Sequence, residues 1–226
     1  MYTFWGFDLF FHEQTRLKDS SIDDIKTGLQ KIRLVKLVED FCAEMGIGRF
    51  SVIGYSMGSH YATVLAEALA HRIDEYIVAA PSSVKPGKLI RFFSRNKFGN
   101  AILERLCFSK TALINSINLF KGLAIIDATG QQILRKEVKT AELRFNLYAC
   151  LTYLQHLETD EELLIRMLND HQVKSYFIFG IRDKMYLPRI ANKFFRKFNP
   201  TAVLYLDEDH NLINANFAKQ LAEKIL

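Results

Sequence analysis

The sequence predicts an α/β protein: a mostly parallel sheet with helices on both faces, interrupted by a helical insertion. Three observations predict it. The runs 50–53, 73–80, 174–179 and 202–206 are rich in β-branched and aromatic residues and nearly continuous in apolar side chains, the pattern of strands buried on both faces. Helical patterns alternate with them, which is the rhythm of strand–helix units. Between Val84 and Glu158 that rhythm stops, and a helix-rich block without a convincing strand stands where an ordinary crossover would be far shorter. The reading is therefore an α/β core built from 1–83 and 159–226, with 84–158 as a helical cap insertion.

Taken in order, Tyr2 to Phe7 (YTFWGF) reads as a strand by its aromatic content. Ser21 opens SIDD, an N-cap with acidic residues in the first turn. From Ile22 to Met45 the residues Ile25, Leu29, Ile32, Val35, Val38 and Cys42 recur at steps of three or four. This predicts one long amphipathic helix, stopped by Gly46 and Gly48. Phe50 to Ile53 is a short strand, and Met57 to Ala70 a helix rich in small residues. Ile73 to Ala80 is a buried strand ended by Pro81. Within the insertion, LIRFFSRNKFGNAILERLCF and EVKTAELRFNLYACLTYLQHLE read as helices. Lys174 to Phe179 and Ala202 to Leu206 return to strand, followed by helices over Pro188 to Phe198 and Asn211 to Leu226.

Composition removes several classes. With 226 residues, 49% hydrophobic and 24% charged, the chain suits one large domain or one domain with an insertion. Disorder, collagen and coiled coil are excluded. No apolar run approaches the roughly 18 residues needed to span a bilayer, and the N-terminus lacks the basic region of a signal peptide. Cys42, Cys107 and Cys150 are an odd, widely spaced set with no metal-ligand pair, which predicts reduced thiols and a cytoplasmic protein. The net charge is +5, and within 84–158 basic residues exceed acidic ones by seven. That balance suits an anionic substrate, whereas the dispersed basic residues form no nucleic-acid motif. The aromatic-basic helix LIRFFSRNKF reads as a lid helix rather than a membrane anchor.

One motif carries chemistry. Gly54-Tyr55-Ser56-Met57-Gly58 is G-x-S-x-G between a strand and a helix. The turn is tight enough to force Ser56 into a strained backbone conformation. The two glycines are expected to give strand and helix room to approach. Ser56 is thereby raised at the carboxyl end of the sheet, beside a helix N-terminus that favours a developing oxyanion. A serine needs a base and an orienting acid. Asp183 follows the strand ending at Phe179, and His210 follows the strand ending at Leu206. All three sit in loops at one edge of one parallel sheet, so they can converge although 127 and 27 residues separate them in turn. Tyr55, beside the nucleophile, is read as a substrate contact.

The segments VIGYSMGS, FIFGIRDKMYLP and LDEDHNLI resemble the nucleophile, acid and histidine regions of the α/β-hydrolase superfamily, and the insertion after IVAAP sits where that family places its cap. The resemblance implies an α/β-hydrolase-like fold and a serine hydrolase of the carboxylic ester class, acting on an ester or thioester without metal or organic cofactor. It implies Ser56 as nucleophile, His210 as general base and then acid, Asp183 as its partner, and Met57 N–H as one oxyanion donor. GYSMGS also resembles GYSMGGR of the menaquinone-pathway lyases, except that His60 stands in place of the arginine. The family's oxyanion loop has no counterpart before Tyr2. FDLFFHEQT resembles the segment after the family's fourth strand without its glycines. The expectation is an N-terminally incomplete chain with an impaired oxyanion hole, and a catalytically impaired relic is the third reading.

Other polar residues have plainer expected roles. Asp160 and Asp170 follow no strand, His60 is expected to pack, and His12 to be a solvated loop residue. Asp207, Glu208 and Asp209 are expected to form a solvated acidic run.

Overall fold

Four apolar runs build the sheet. The computed structural model describes residues 3–18, 21–84, 88–123, 125–126 and 128–225. In chain order the elements are α1 (Ile22–Thr27), α2 (Lys31–Glu44), β1 (Phe50–Tyr55), α3 (Gly58–Leu69), β2 (Ile73–Ala79), α4 (Lys88–Arg95), α5 (Lys97–Phe108), α6 (Lys110–Gly122), α7 (Ala128–Glu137), α8 (Ala141–Tyr153), α9 (Glu161–Asp170), β3 (Lys174–Gly180), α10 (Asn192–Phe195), β4 (Ala202–Leu206) and α11 (Ala215–Lys224). The chain divides into two compact units, one of 1–29 with 88–156 and the other of 30–87 with 157–226.

The second unit holds the sheet. Its order is β1-β2-β3-β4 and every pairing is parallel. Ile77, Tyr176 and Ile178 bury one face beneath Phe217 and Leu221 of α11. On the other, Tyr76 meets Thr63 of α3 hydroxyl to hydroxyl at 2.7 Å. Phe177 packs edge-on to Phe195 and against Phe194 and Phe198. Two-sided burial explains why β2 and β3 are almost unbroken in apolar residues. β1 is different: residues 50–53 alternate between partly buried and exposed, with Ile53 at 47% exposure. Among the described residues no strand pairs with its outer edge.

The first unit is helical. Phe10 and Phe11 set their rings edge-on to Tyr153 of α8. Lys26 of α1 pairs with Glu104 of α5 at 2.8 Å, and Asn100 donates to Thr152 at 2.8 Å. The described residues of the insertion contain no strand. None of the helices among the described residues is long and apolar enough to cross a membrane. Cys42, Cys107 and Cys150 are buried and in no disulfide, and burial pushes the thiols of Cys107 and Cys150 up to about 12.

Several elements differ from expectation. Residues 3–7 form no strand, and Tyr2 lies outside the described residues. The whole 1–29 segment groups with the helical insertion and not with the sheet. Strand propensity is realised only through pairing with a neighbouring strand, and residues 3–7 pair with none and are exposed. The single helix expected over 22–45 is two. Gly28 takes φ +73°, and the N–H of Leu29 donates to the Tyr153 carbonyl at 2.7 Å. A Cβ at Gly28 would lie 2.7 Å from the His156 ring, so the apolar period continues through a break that tertiary packing imposes. Helix α2 then ends before Gly46, which has φ +66°. The stretch 188–198 splits into a 3-10 turn, Pro188–Ala191, and α10. The terminal helix starts only after Asn214, whose side chain caps Phe217 N–H at 3.0 Å.

Candidate active site

The site is built at the carboxyl ends of β1, β3 and β4. β1 ends at Tyr55, and Ser56 turns the chain with φ +48°, a left-handed conformation that a residue with a Cβ rarely adopts. The turn is held from several sides. Ser56 N–H donates to the Ala79 carbonyl at 2.8 Å. Its carbonyl accepts the hydroxyls of Ser59 at 2.6 Å and Ser82 at 2.8 Å. Met57 follows as the N-cap of α3.

The two glycines of the motif are unequal. A Cβ on Gly54 would meet the Gly58 carbonyl oxygen at 2.6 Å, Ser59 Cα at 2.8 Å and Ala62 Cβ at 2.9 Å. Here only hydrogen fits. A Cβ on Gly58 would meet nothing within 4 Å, which corrects the expectation that both glycines make room. Gly54→Ala is therefore expected to cost about 2–3 kcal/mol through forced displacement of α3. Gly58→Ala should remain within about 1 kcal/mol of the parent, because alanine is the better helix former. Thermal unfolding of the two variants checks this, and equal losses would contradict the geometry.

Asp183 and His210 reach the same place. His210 Nε2 lies 3.1 Å from Ser56 Oγ, and His210 Nδ1 lies 2.8 Å from Asp183 Oδ2. Asp183 Oδ1 accepts the N–H groups of Met185 at 2.8 Å and Tyr186 at 3.0 Å. Asp183 is fully buried and His210 is 7% exposed, whereas Ser56 is half-buried. Burial opposes ionisation of Asp183. The hydrogen bond from His210 and those from the Tyr186 and Met185 amides outweigh it and hold the carboxyl below its ordinary 3.8. In the neutral imidazole, a carboxylate accepting Nδ1–H selects the tautomer whose Nε2 presents its lone pair to Ser56, the form that can take up the serine proton.

Two tyrosines surround the imidazole. The Tyr55 and Tyr186 rings lie against it with centroids at 5.5 and 5.6 Å. The Tyr55 hydroxyl donates to the His210 carbonyl, so this side chain, expected to contact substrate, is engaged within the protein. Burial, with Asp183 nearby, pushes both phenols up to about 12, so both remain donors near neutral pH.

Most of the remaining candidates have structural partners. Asp160 caps α9 by accepting Leu163 N–H at 3.0 Å, and its own N–H donates to Glu67 at 2.7 Å. His60 Nδ1 lies 3.2 Å from the Leu157 carbonyl, in keeping with a packing role. His12 Nδ1 lies 3.2 Å from the Phe10 carbonyl within its own loop. Asp207 pairs with Arg182 at 3.1 Å, and Asp209 accepts Asn211 N–H at 2.8 Å. Asp170 ends α9 at the exposed surface. No group of three His, Cys, Asp or Glu side chains suited to a metal ion occurs among the described residues.

Sequence reasoning missed Ser59, Ser82, Tyr186 and Gly180. A Cβ on Gly180 would meet the carbonyl oxygens of Glu208 at 2.6 Å and Asp209 at 2.8 Å, so this glycine lets the histidine loop close on the end of β3. Its position at a strand end was the available signal. Ser82 and Tyr186 lie in irregular turns, where no period marks them.

No family model matches the chain, and no curated protein does. Solved structures do match. An α/β hydrolase enzyme from a Medee basin deep-sea metagenome library is similar with a TM-score of 0.61 at 13% identity, over 95% of this chain and 75% of its own. A probable hydrolytic enzyme from Pseudomonas aeruginosa PAO1 reaches 0.59 at 14% identity, over 88% of this chain and 70% of its own. A structure from work on carboxylesterases of the ammonia-oxidizing thaumarchaeon Nitrososphaera gargenis reaches 0.52 at 15% identity, over 86% and 71%. At these identities the likeness is one of architecture: the chain has the α/β-hydrolase fold.

Proposed function

We propose that this chain is a serine hydrolase that cleaves a carboxylic ester or thioester through an acyl-enzyme. One observation carries the reading: Ser56 Oγ, the His210 imidazole and the Asp183 carboxylate form a continuous hydrogen-bonded chain at one edge of the sheet. The serine is partly exposed and the acid buried, the division of labour that nucleophile and orienting group require. The esterases and hydrolases among the structural neighbours support the same reaction class at the level of fold.

In this reading Ser56 Oγ attacks the carbonyl carbon while its proton passes to His210 Nε2. Asp183 stabilises the imidazolium without taking the proton, and Met57 N–H supplies one donor to the oxyanion. Collapse breaks the bond to the leaving group, which departs with the proton from His210. Water then adds to the acyl carbon, giving a proton to His210, and the acid leaves as that proton returns to Ser56.

The test is p-nitrophenyl acetate turnover together with labelling by a fluorophosphonate, in which the Ser56 oxygen displaces fluoride from phosphorus. Turnover and labelling, both abolished in Ser56→Ala, are expected. Labelling without turnover would move the assignment toward an elimination on the same three residues. Folded protein that is neither labelled nor active would end the hydrolase reading.

A further inference from the structure

We infer that Tyr55 is a positioning residue that holds the His210 loop in register with Ser56, a role that rests on the serine hydrolase reading above. The problem it solves is mechanical. His210 must keep Nε2 within reach of Ser56 while accepting a proton and again while returning it. Yet His210 comes from an irregular loop after β4, 154 residues away in sequence. An error of about 1 Å in such a contact can cost a hundredfold in rate.

Tyr55 addresses both partners because of where it stands. As the last residue of β1 it is covalently joined to Ser56, so its backbone moves with the nucleophile. Its side chain crosses to the other partner. The hydroxyl donates to the His210 carbonyl, which also accepts Leu212 N–H at 2.9 Å. The ring lies against the imidazole at 5.5 Å between centroids with a tilt of 33°. One residue thus ties the main chain of the histidine to the residue beside the nucleophile and limits rotation of the imidazole.

Tyr186 makes the corresponding connection from the acid side. Its N–H donates to Asp183, its ring meets the imidazole, and its hydroxyl lies beside Ser82. The Ser82 hydroxyl in turn donates to the Ser56 carbonyl. The two tyrosines therefore close two loops of contact, Ser56–Tyr55–His210 and Ser56–Ser82–Tyr186–Asp183. Phenylalanine would keep the packing at either position and break the loop. With its hydroxyl committed to His210, Tyr55 acts on the base and not on the substrate.

The experiment compares the parent, Tyr55→Phe and Tyr186→Phe. It measures p-nitrophenyl acetate kinetics, the rate of fluorophosphonate labelling at Ser56 and the low-field proton signal of His210 Nδ1–H, with thermal unfolding as a check on folding. For Tyr55→Phe, kcat is expected to fall about tenfold with KM unchanged, and labelling to slow by the same factor. Tyr186→Phe should move the same quantities in the same direction, which keeps the proposal testable if Tyr55→Phe fails to fold. A raised KM at unchanged kcat would make Tyr55 a substrate contact and overturn the inference, as would parental kinetics in folded Tyr55→Phe. If the parent neither turns over nor labels, the hydrolase reading fails by itself and the proton signal decides the clamp. Exchange broadening in Tyr55→Phe, relative to a sharp parental signal, retains the clamp as a feature of the structure. Equally sharp signals overturn it.

Discussion

Ser56→Ala and His210→Ala are each expected to lower turnover of p-nitrophenyl acetate by about 10⁴-fold or more, and the double variant should be no slower than the worse single one. The 3.1 Å contact between Ser56 Oγ and His210 Nε2 is the reason. A neutral serine hydroxyl is a weak nucleophile, and a histidine without it has no proton to accept. Removing either leaves the other with nothing to do. Four decades correspond to about 5.5 kcal/mol of transition-state stabilisation. Independent contributions of that size would multiply to about 10⁸ in the double variant, so the two outcomes are far apart. Losses that multiply would mean that the residues act separately, and the hydrogen-bonded chain would lose its claim to be the catalytic unit.

The parts of this site that were legible in the sequence share one property: their position is set by the ends of strands. β3 is covered on both faces and β4 is an unbroken apolar run though only partly buried, so both stand out and the residues just beyond them announce themselves as edge loops. Asp183 and His210 could be found that way. Ser56 could be found because its strained turn demands a particular neighbourhood, although only Gly54 proves to be sterically required. What was not legible depends on contacts between segments distant in sequence. Leu29 continues the apolar period of a helix that the packing of Gly28 against His156 has already ended. The aromatic run at 3–7 has strand propensity but pairs with no strand, is exposed, and groups with the helical unit. Ser82 supports the elbow through one hydroxyl, contributed by a turn 26 residues downstream. Such hydroxyls are ordinary in composition and gain meaning only when the fold aims them at a single carbonyl.

Asp183→Asn should reduce turnover by about 10⁴-fold near neutral pH while leaving Ser56 and His210 in place. The direction follows from which oxygen does what. Oδ1 accepts two main-chain N–H groups, from Met185 and Tyr186, and can be replaced only by another acceptor. The substituted amide must therefore keep its oxygen there and turn its NH₂ toward His210. Facing a donor, Nδ1 has to present a lone pair, and the single ring proton of neutral imidazole moves to Nε2. That nitrogen then points a hydrogen at Ser56 and cannot take one from it. The pH dependence separates this cause from lost stability. Burial alone would raise the carboxyl, but the His210, Tyr186 and Met185 hydrogen bonds hold it below the ordinary 3.8. A depressed carboxyl contributes stability that is fully present above its unfolded value and is lost as pH falls through its folded value. At neutral pH the parent therefore holds Asp183 ionised, and the variant's defect there is one of tautomer. Urea unfolding should show the pH-dependent part of this stabilisation, in the acid range below the ordinary carboxylate value, missing from Asp183→Asn. A variant with near-parental turnover at neutral pH would show that the Asp183–His210 hydrogen bond does not set the protonation state of the base.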